Sequence, residues 1–176
     1  MENKNNEVLV NDNGIIRDRF GKQTHPEHFT LSKKDWHYFI SIRPENPDGL
    51  LSQKAEWGER RREEFVRLFL NFLRAKLKLR THDFEWVATS EEEGDVKIPH
   101  VHILLKFKPN ALIKISPNFN STARNCVRNM ERRYGNLNSD FRRVGGTRED
   151  KERVSSYLCK VDGRRREKSF WYPVRF

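Results

Sequence analysis

Apolar residues fall into two rhythms along this chain, and each rhythm predicts a set of elements. Residues 36–43, WHYFISIR, are dense in aromatic and β-branched side chains and are stopped by Pro44, which predicts a central strand. Over residues 54–79 the apolar positions recur at three and four. Phe65, Leu68, Phe69, Phe72, Leu73 and Leu77 predict the buried stripe of a long helix, with Arg60, Arg61, Arg62, Arg67 and Arg74 mostly on its other face. Residues 84–91 predict a second strand, 91–97 an acidic turn around Gly94, and 98–107 a third strand, so the last two strands form a hairpin. Pro109 and Pro117 bracket a short apolar piece. Residues 121–134 predict a second helix, capped by Asn120 or Ser121 and stopped at Gly135. Residues 140–144 predict a fourth strand. Thr147 then caps a helix over 148–161, with Asp150 as the capping-box acid and Gly163 as the stop.

The order β-α-β-β-α-β-α predicts an α+β fold: an antiparallel sheet with helices packed on one face, ferredoxin-like or RNA-recognition-like. In that layout the second face of the sheet is open. Residues 1–34 are polar and Asn-rich without a sustained period, and read as an N-terminal arm ordered in part around 15–20. Residues 35–176 form one domain ending in a tail that is first basic, then aromatic; Trp171 and Tyr172 there serve base stacking or, more simply, close the core.

Charge changes this picture. The net charge is +10, and residues 121–176 carry 15 Lys/Arg against 7 Asp/Glu. Such a balance favours a polyanionic partner, nucleic acid ahead of an anionic membrane surface. Arg124, Arg128 and Arg132, with Arg133, recur at helical spacing and could track a phosphate backbone; Arg142 and Arg143 are further candidates, each reading equally well as a solvated face. Cys126 and Cys159 form neither a disulfide framework nor a zinc pattern, which suits a reducing compartment. No stretch has membrane-span length and the N-terminus lacks a secretory apolar region, so the expectation is an intracellular, cytoplasmic protein with no membrane partner.

The sharpest chemistry lies in PHVHILL, residues 99–105. Alternate residues of a strand share a face, so His100 and His102 point one way while Val101 and Ile103 point into the core. Two imidazoles so placed can converge on one metal ion. A carboxylate from Glu91, Glu92 or Glu93 could complete the set; Glu91, the last residue of the strand pattern, is the choice. Two imidazoles and a carboxylate suit Mn²⁺ or Mg²⁺, with Zn²⁺ as a competitor. Downstream, Tyr157 and Lys160 stand three apart in the last helix. A lysine one turn away eases phenolate formation or holds a phosphate.

PHVHILL on a strand, SYLCK on a downstream helix and FISI on an early strand resemble the three motifs of HUH endonucleases, and within them the rolling-circle replication initiators (Rep proteins) of plasmids and single-stranded DNA viruses and phages. The tyrosine follows the histidine motif, as in Rep proteins and unlike relaxases. Insertion-sequence transposases share this order but place a metal-binding Gln one turn beyond the tyrosine, where this chain has Val161. The resemblance covers about residues 36–162. It implies that His100 and His102 bind the metal, that Tyr157 is the nucleophile with Lys160 beside it, and that the protein nicks and rejoins single-stranded or hairpin origin DNA through a 5′-phosphotyrosine. With no Gly-x-x-x-x-Gly-Lys-Ser/Thr motif, unwinding falls to a host helicase and synthesis to a host polymerase. The competing expectations are a non-enzymatic single-stranded nucleic-acid binder, a transposase or relaxase, and a nuclease that uses water.

Overall fold

The computed structural model describes residues 9–10, 16–17, 22–45, 57–91, 99–160 and 169–173. In chain order the elements are β1 (Leu9–Val10), β2 (Ile16–Arg17), α1 (Glu27–Leu31), β3 (Tyr38–Pro44), α2 (Glu59–Lys76), a 3₁₀ turn (Thr81–Asp83), β4 (Phe84–Glu91), β5 (His100–Phe107), α3 (Pro109–Ile115), α4 (Phe119–Tyr134), β6 (Leu137–Arg143), α5 (Arg148–Cys159) and β7 (Phe170–Trp171). The chain divides into two units. One comprises residues 1–35 and 145–168, the other residues 36–144 and 169–176.

The larger unit is α+β, built on a five-stranded sheet in the order β6-β3-β5-β4-β7, and every neighbouring pair is antiparallel. The chain leaves β3, passes through α2 and returns as β4, skipping one place that β5 then fills, which is the split β-α-β layout. Side chains alternate along each strand. Ile40, Ile42, Ala88, Val101, Ile103 and Leu105 fall on the face that joins the core with Phe65, Phe69 and Leu73 of α2 and Phe119, Val127 and Met130 of α4. The predicted one-sided packing of helices is present in this unit.

Several expectations change in detail. The helix over 54–79 runs Glu59–Lys76, residues 54–56 lying outside the described ones. Its buried stripe is centred on Val66, Phe69 and Leu73, with Phe65 and Leu70 beside it; Phe72, expected inside, is 48% exposed because it lies at the flank. Arg62 continues that stripe one turn earlier and is buried, not on the outer face, its guanidinium donating to the Trp57 carbonyl. The helix ends in a Schellman arrangement: the Leu79 N–H donates to the Arg74 carbonyl and that of Lys78 to Ala75, with Lys78 at a φ of 54° in the position usually held by glycine. The apolar piece after Pro109 is helix α3, since proline suits the first helical position. Helix α4 starts at Phe119 rather than 121, and its N-cap, Asn118, makes no side-chain cap bond. The fourth strand begins at Leu137, three residues early, because pairing with β3 overrides the low strand propensity of Asn and Ser.

The second sheet face is not an open platform. Val87, Thr89, His102 and Leu104 all lie on it and are at most 1% exposed. Val87 and Leu104 make it partly apolar, which draws that face out of water.

In the smaller unit, β1 and β2 pair antiparallel and α1 packs with α5. Thr147 caps α5 as predicted: its Oγ1 accepts from the Asp150 N–H at 3.1 Å and donates to the Asp150 carboxylate at 2.6 Å. The helix stops at Cys159, short of 161, because Lys160 turns to ψ 126° and bridges to Thr24. Arg148 pairs with the buried Glu152 at 2.7 Å. Among the described residues no helix is long and apolar enough to cross a membrane.

Candidate metal centre

Strand register assembles the site. In the β4–β5 hairpin Glu91 lies opposite His100 and Thr89 opposite His102, and on the other side of β5 Ser41 lies opposite His102. Alternation puts Glu91, His100 and His102 on one face. The Glu91 Oε2 sits 2.7 Å from His102 Nε2 and 3.3 Å from His100 Nε2. The two imidazole rings stand at right angles, their centroids 4.6 Å apart. One ligand atom from each of the three side chains lies within 4.8 Å of the others. His102 and Glu91 are buried and His100 is partly exposed, so the cluster has a wet and a dry side.

The surroundings fix this geometry. Phe39 on β3 stacks on the His102 ring at 5.3 Å and 23°. Thr89 Oγ1 donates to the Ser169 carbonyl at 2.8 Å, tying β4 to the segment that leads into β7. A buried carboxylate this close to an imidazole nitrogen needs a cation to offset it. The 2.7 Å Nε2···Oε2 contact joins the two side chains, the imidazole tautomer setting which nitrogen carries the hydrogen. A divalent ion would offset the carboxylate, with two nitrogen donors and one oxygen donor converging on it. The donor set therefore fits a metal ion. Three protein donors leave coordination positions for outside oxygens.

The structure thus brings together Glu91, His100 and His102; Glu92 and Glu93 lie outside the described residues. Tyr157 belongs to the smaller unit, on α5, and is 51% exposed. Lys160 is the C-cap of that helix, so it is not a helical residue sharing a regular face with Tyr157; its N–H still donates to the Tyr157 carbonyl at 3.4 Å.

The arginines separate. Arg124, Arg128 and Arg132 are exposed along α4, with Arg124 over the Phe141 ring at 5.7 Å. Neither Arg128 nor Arg132 has a carboxylate partner among the described residues, whereas Arg133 is held by Glu64. Arg142 shares the face of His102 and pairs with Asp140, and Arg143 lies on the opposite face, as neighbours on a strand must. Trp171 belongs to the core. Phe39, which orients His102, was not singled out in the sequence. Its signal is its place in FISI, in phase with Ser41 and so on the histidine side.

Compared with protein-family models, curated proteins and solved structures, the chain matches none.

Proposed function

We propose that this chain is a metal-dependent nickase and strand transferase for single-stranded DNA, acting as a rolling-circle replication initiator. The observation that carries the reading is the convergence of Glu91, His100 and His102 across the hairpin. The exposed Tyr157 and the net charge of +10 support it. Mn²⁺ or Mg²⁺ is the proposed ion, since a phosphate oxygen is a hard ligand. Bound there, it supplies Lewis acidity toward a non-bridging oxygen of the scissile phosphate. The Tyr157 Oη attacks phosphorus and the bond to the 3′ oxygen breaks. The phenolic proton is lost to solvent and the leaving 3′ oxygen takes one up, giving a 5′-phosphotyrosine and a free 3′-OH. The Lys160 ammonium offsets charge as the phenolate forms. Arg124, Arg128 and Arg132 hold the phosphate backbone. A host polymerase extends the 3′-OH, a host helicase unwinds, and a later 3′-OH reverses the attack and rejoins the strand. That assignment places the protein in the host cytoplasm.

A denaturing gel tests this. Purified protein is incubated with single-stranded oligonucleotides from its own replicon and Mn²⁺ or Mg²⁺, beside Tyr157→Phe and an EDTA control. The expected result is a protein-linked 5′ fragment that requires metal and is absent in Tyr157→Phe. Cleavage without an adduct would replace the reading with a water-using nuclease. Binding without cleavage would replace it with a binding module.

A further inference from the structure

Away from the metal centre, the larger unit carries a pocket of about 380 Å³ against α2 and the start of β4. Its apolar lining includes Phe84, Trp86 and Pro173; its polar lining includes Arg67, Asn71 and Arg74. The three polar residues are spaced by four and three along α2, so they form one ridge on that helix. Each is differently placed. Arg67 is already committed: it pairs with Glu63 at 2.7 Å, donates to the Tyr172 carbonyl at 3.3 Å and lies over the Trp86 ring at 5.7 Å. Arg74 meets only the neutral Thr81 hydroxyl, at 3.3 Å, and has no carboxylate partner among the described residues. Asn71, between them, is exposed and offers a donor and an acceptor together.

An aromatic floor, an amide that can read a ring edge and a cation with no carboxylate partner among the described residues match the three parts of a nucleotide. Bases stack on aromatic and guanidinium faces, amides pair with base edges, and arginine binds phosphate. The volume suits one such unit and lies within the usual range of small-ligand sites. We propose that this pocket binds a nucleotide, its base lodged against Phe84, Trp86 and Pro173 beside Asn71, and its phosphate on Arg74. The inference goes beyond the nicking chemistry, since it uses neither the metal ligands nor Tyr157. The same chemistry comes from a free nucleotide or from one unit of a single strand.

The test is an NMR titration of the full-length ¹⁵N-labelled protein without metal, following the Trp86 indole N–H, which Trp86→Phe assigns. The probes are dAMP, a ten-residue oligothymidylate, deoxyadenosine and inorganic phosphate. A saturable Trp86 shift with dAMP or the oligonucleotide, weakened roughly tenfold in Arg74→Gln and more modestly in Asn71→Ala, supports the site. Tighter binding of the oligonucleotide names the strand as the source; binding of dAMP alone names the free nucleotide. No Trp86 shift overturns the proposal. So does an equal shift with inorganic phosphate, or affinity unchanged in a folded Arg74→Gln. Neither failure touches the gel assay, and a failed gel leaves the Trp86 result standing.

Discussion

The two faces of β5 use one backbone for opposite purposes. On one, Val101, Ile103, Leu105 and Phe107 are buried among the side chains of three helices. On the other, His100 and His102 meet Glu91, with Leu104 beside them. The first face gains stability from area removed from water. The second keeps a carboxylate and an imidazole buried, which contributes to stability only while the charges offset each other. Stability and chemistry are thus separable by parity along a single strand, and substitutions one residue apart should behave as different experiments.

The largest expected effect is on the apolar face. Ile103→Ala should cost about 2–5 kcal/mol in urea unfolding, while the protein that remains folded keeps its response to Mn²⁺. Loss of that response together with stability would mean that the faces are not independent. Next comes the metal itself. At about 100 times the dissociation constant, Mn²⁺ should stabilise the wild type by about 2.7 kcal/mol, read as a rise in Tm. Glu91→Gln should show no rise, and a preserved one would remove Glu91 from the ligand set. A smaller effect should follow Thr89→Val, which deletes the buried hydroxyl bonded to Ser169: about 0.5–1.5 kcal/mol, with the Mn²⁺ response retained. The smallest effect is alkaline. Burial, with the Glu64 carboxylate, pushes the Tyr134 phenol on the helix side above its ordinary value, against the pull of Arg133 and Arg61. The unfolded phenol ionises first, near pH ~10. Its share of stability is therefore complete below that pH and declines as pH rises toward the folded value. Tyr134→Phe should flatten this part of the pH–stability curve; an unchanged slope would assign the decline to other groups.

Much of this contrast could be read from the residues. Period-two alternation in PHVHILL places the histidines on one side without any structure, and the end of the strand pattern favours Glu91 among three neighbouring glutamates; that it lies opposite His100 is set by the hairpin register, which the sequence does not display. Other features are set by tertiary contacts that a single segment does not display. Arg62 continues the Val66, Phe69 and Leu73 stripe by spacing, yet its burial depends on the Trp57 carbonyl that receives it. The early start of β6 depends on β3 as a partner. Strand β7 is only two residues long and exists by pairing with Ala88 and Thr89. The nucleotide pocket joins α2, β4 and Pro173, parts of the chain too far apart for any motif to link.

The register of the β4–β5 hairpin carries one more consequence. A slip of a single residue would turn Val101 and Ile103 outward and drive both histidines into the apolar core. The Glu91, His100 and His102 cluster exists only in the chain that has paired correctly, so an ion held there would report on folding fidelity. A one-residue deletion between Thr89 and Glu91, or between His100 and His102, should abolish metal binding even where enough core survives for a compact state, because such a deletion changes the phase of the site without changing its composition.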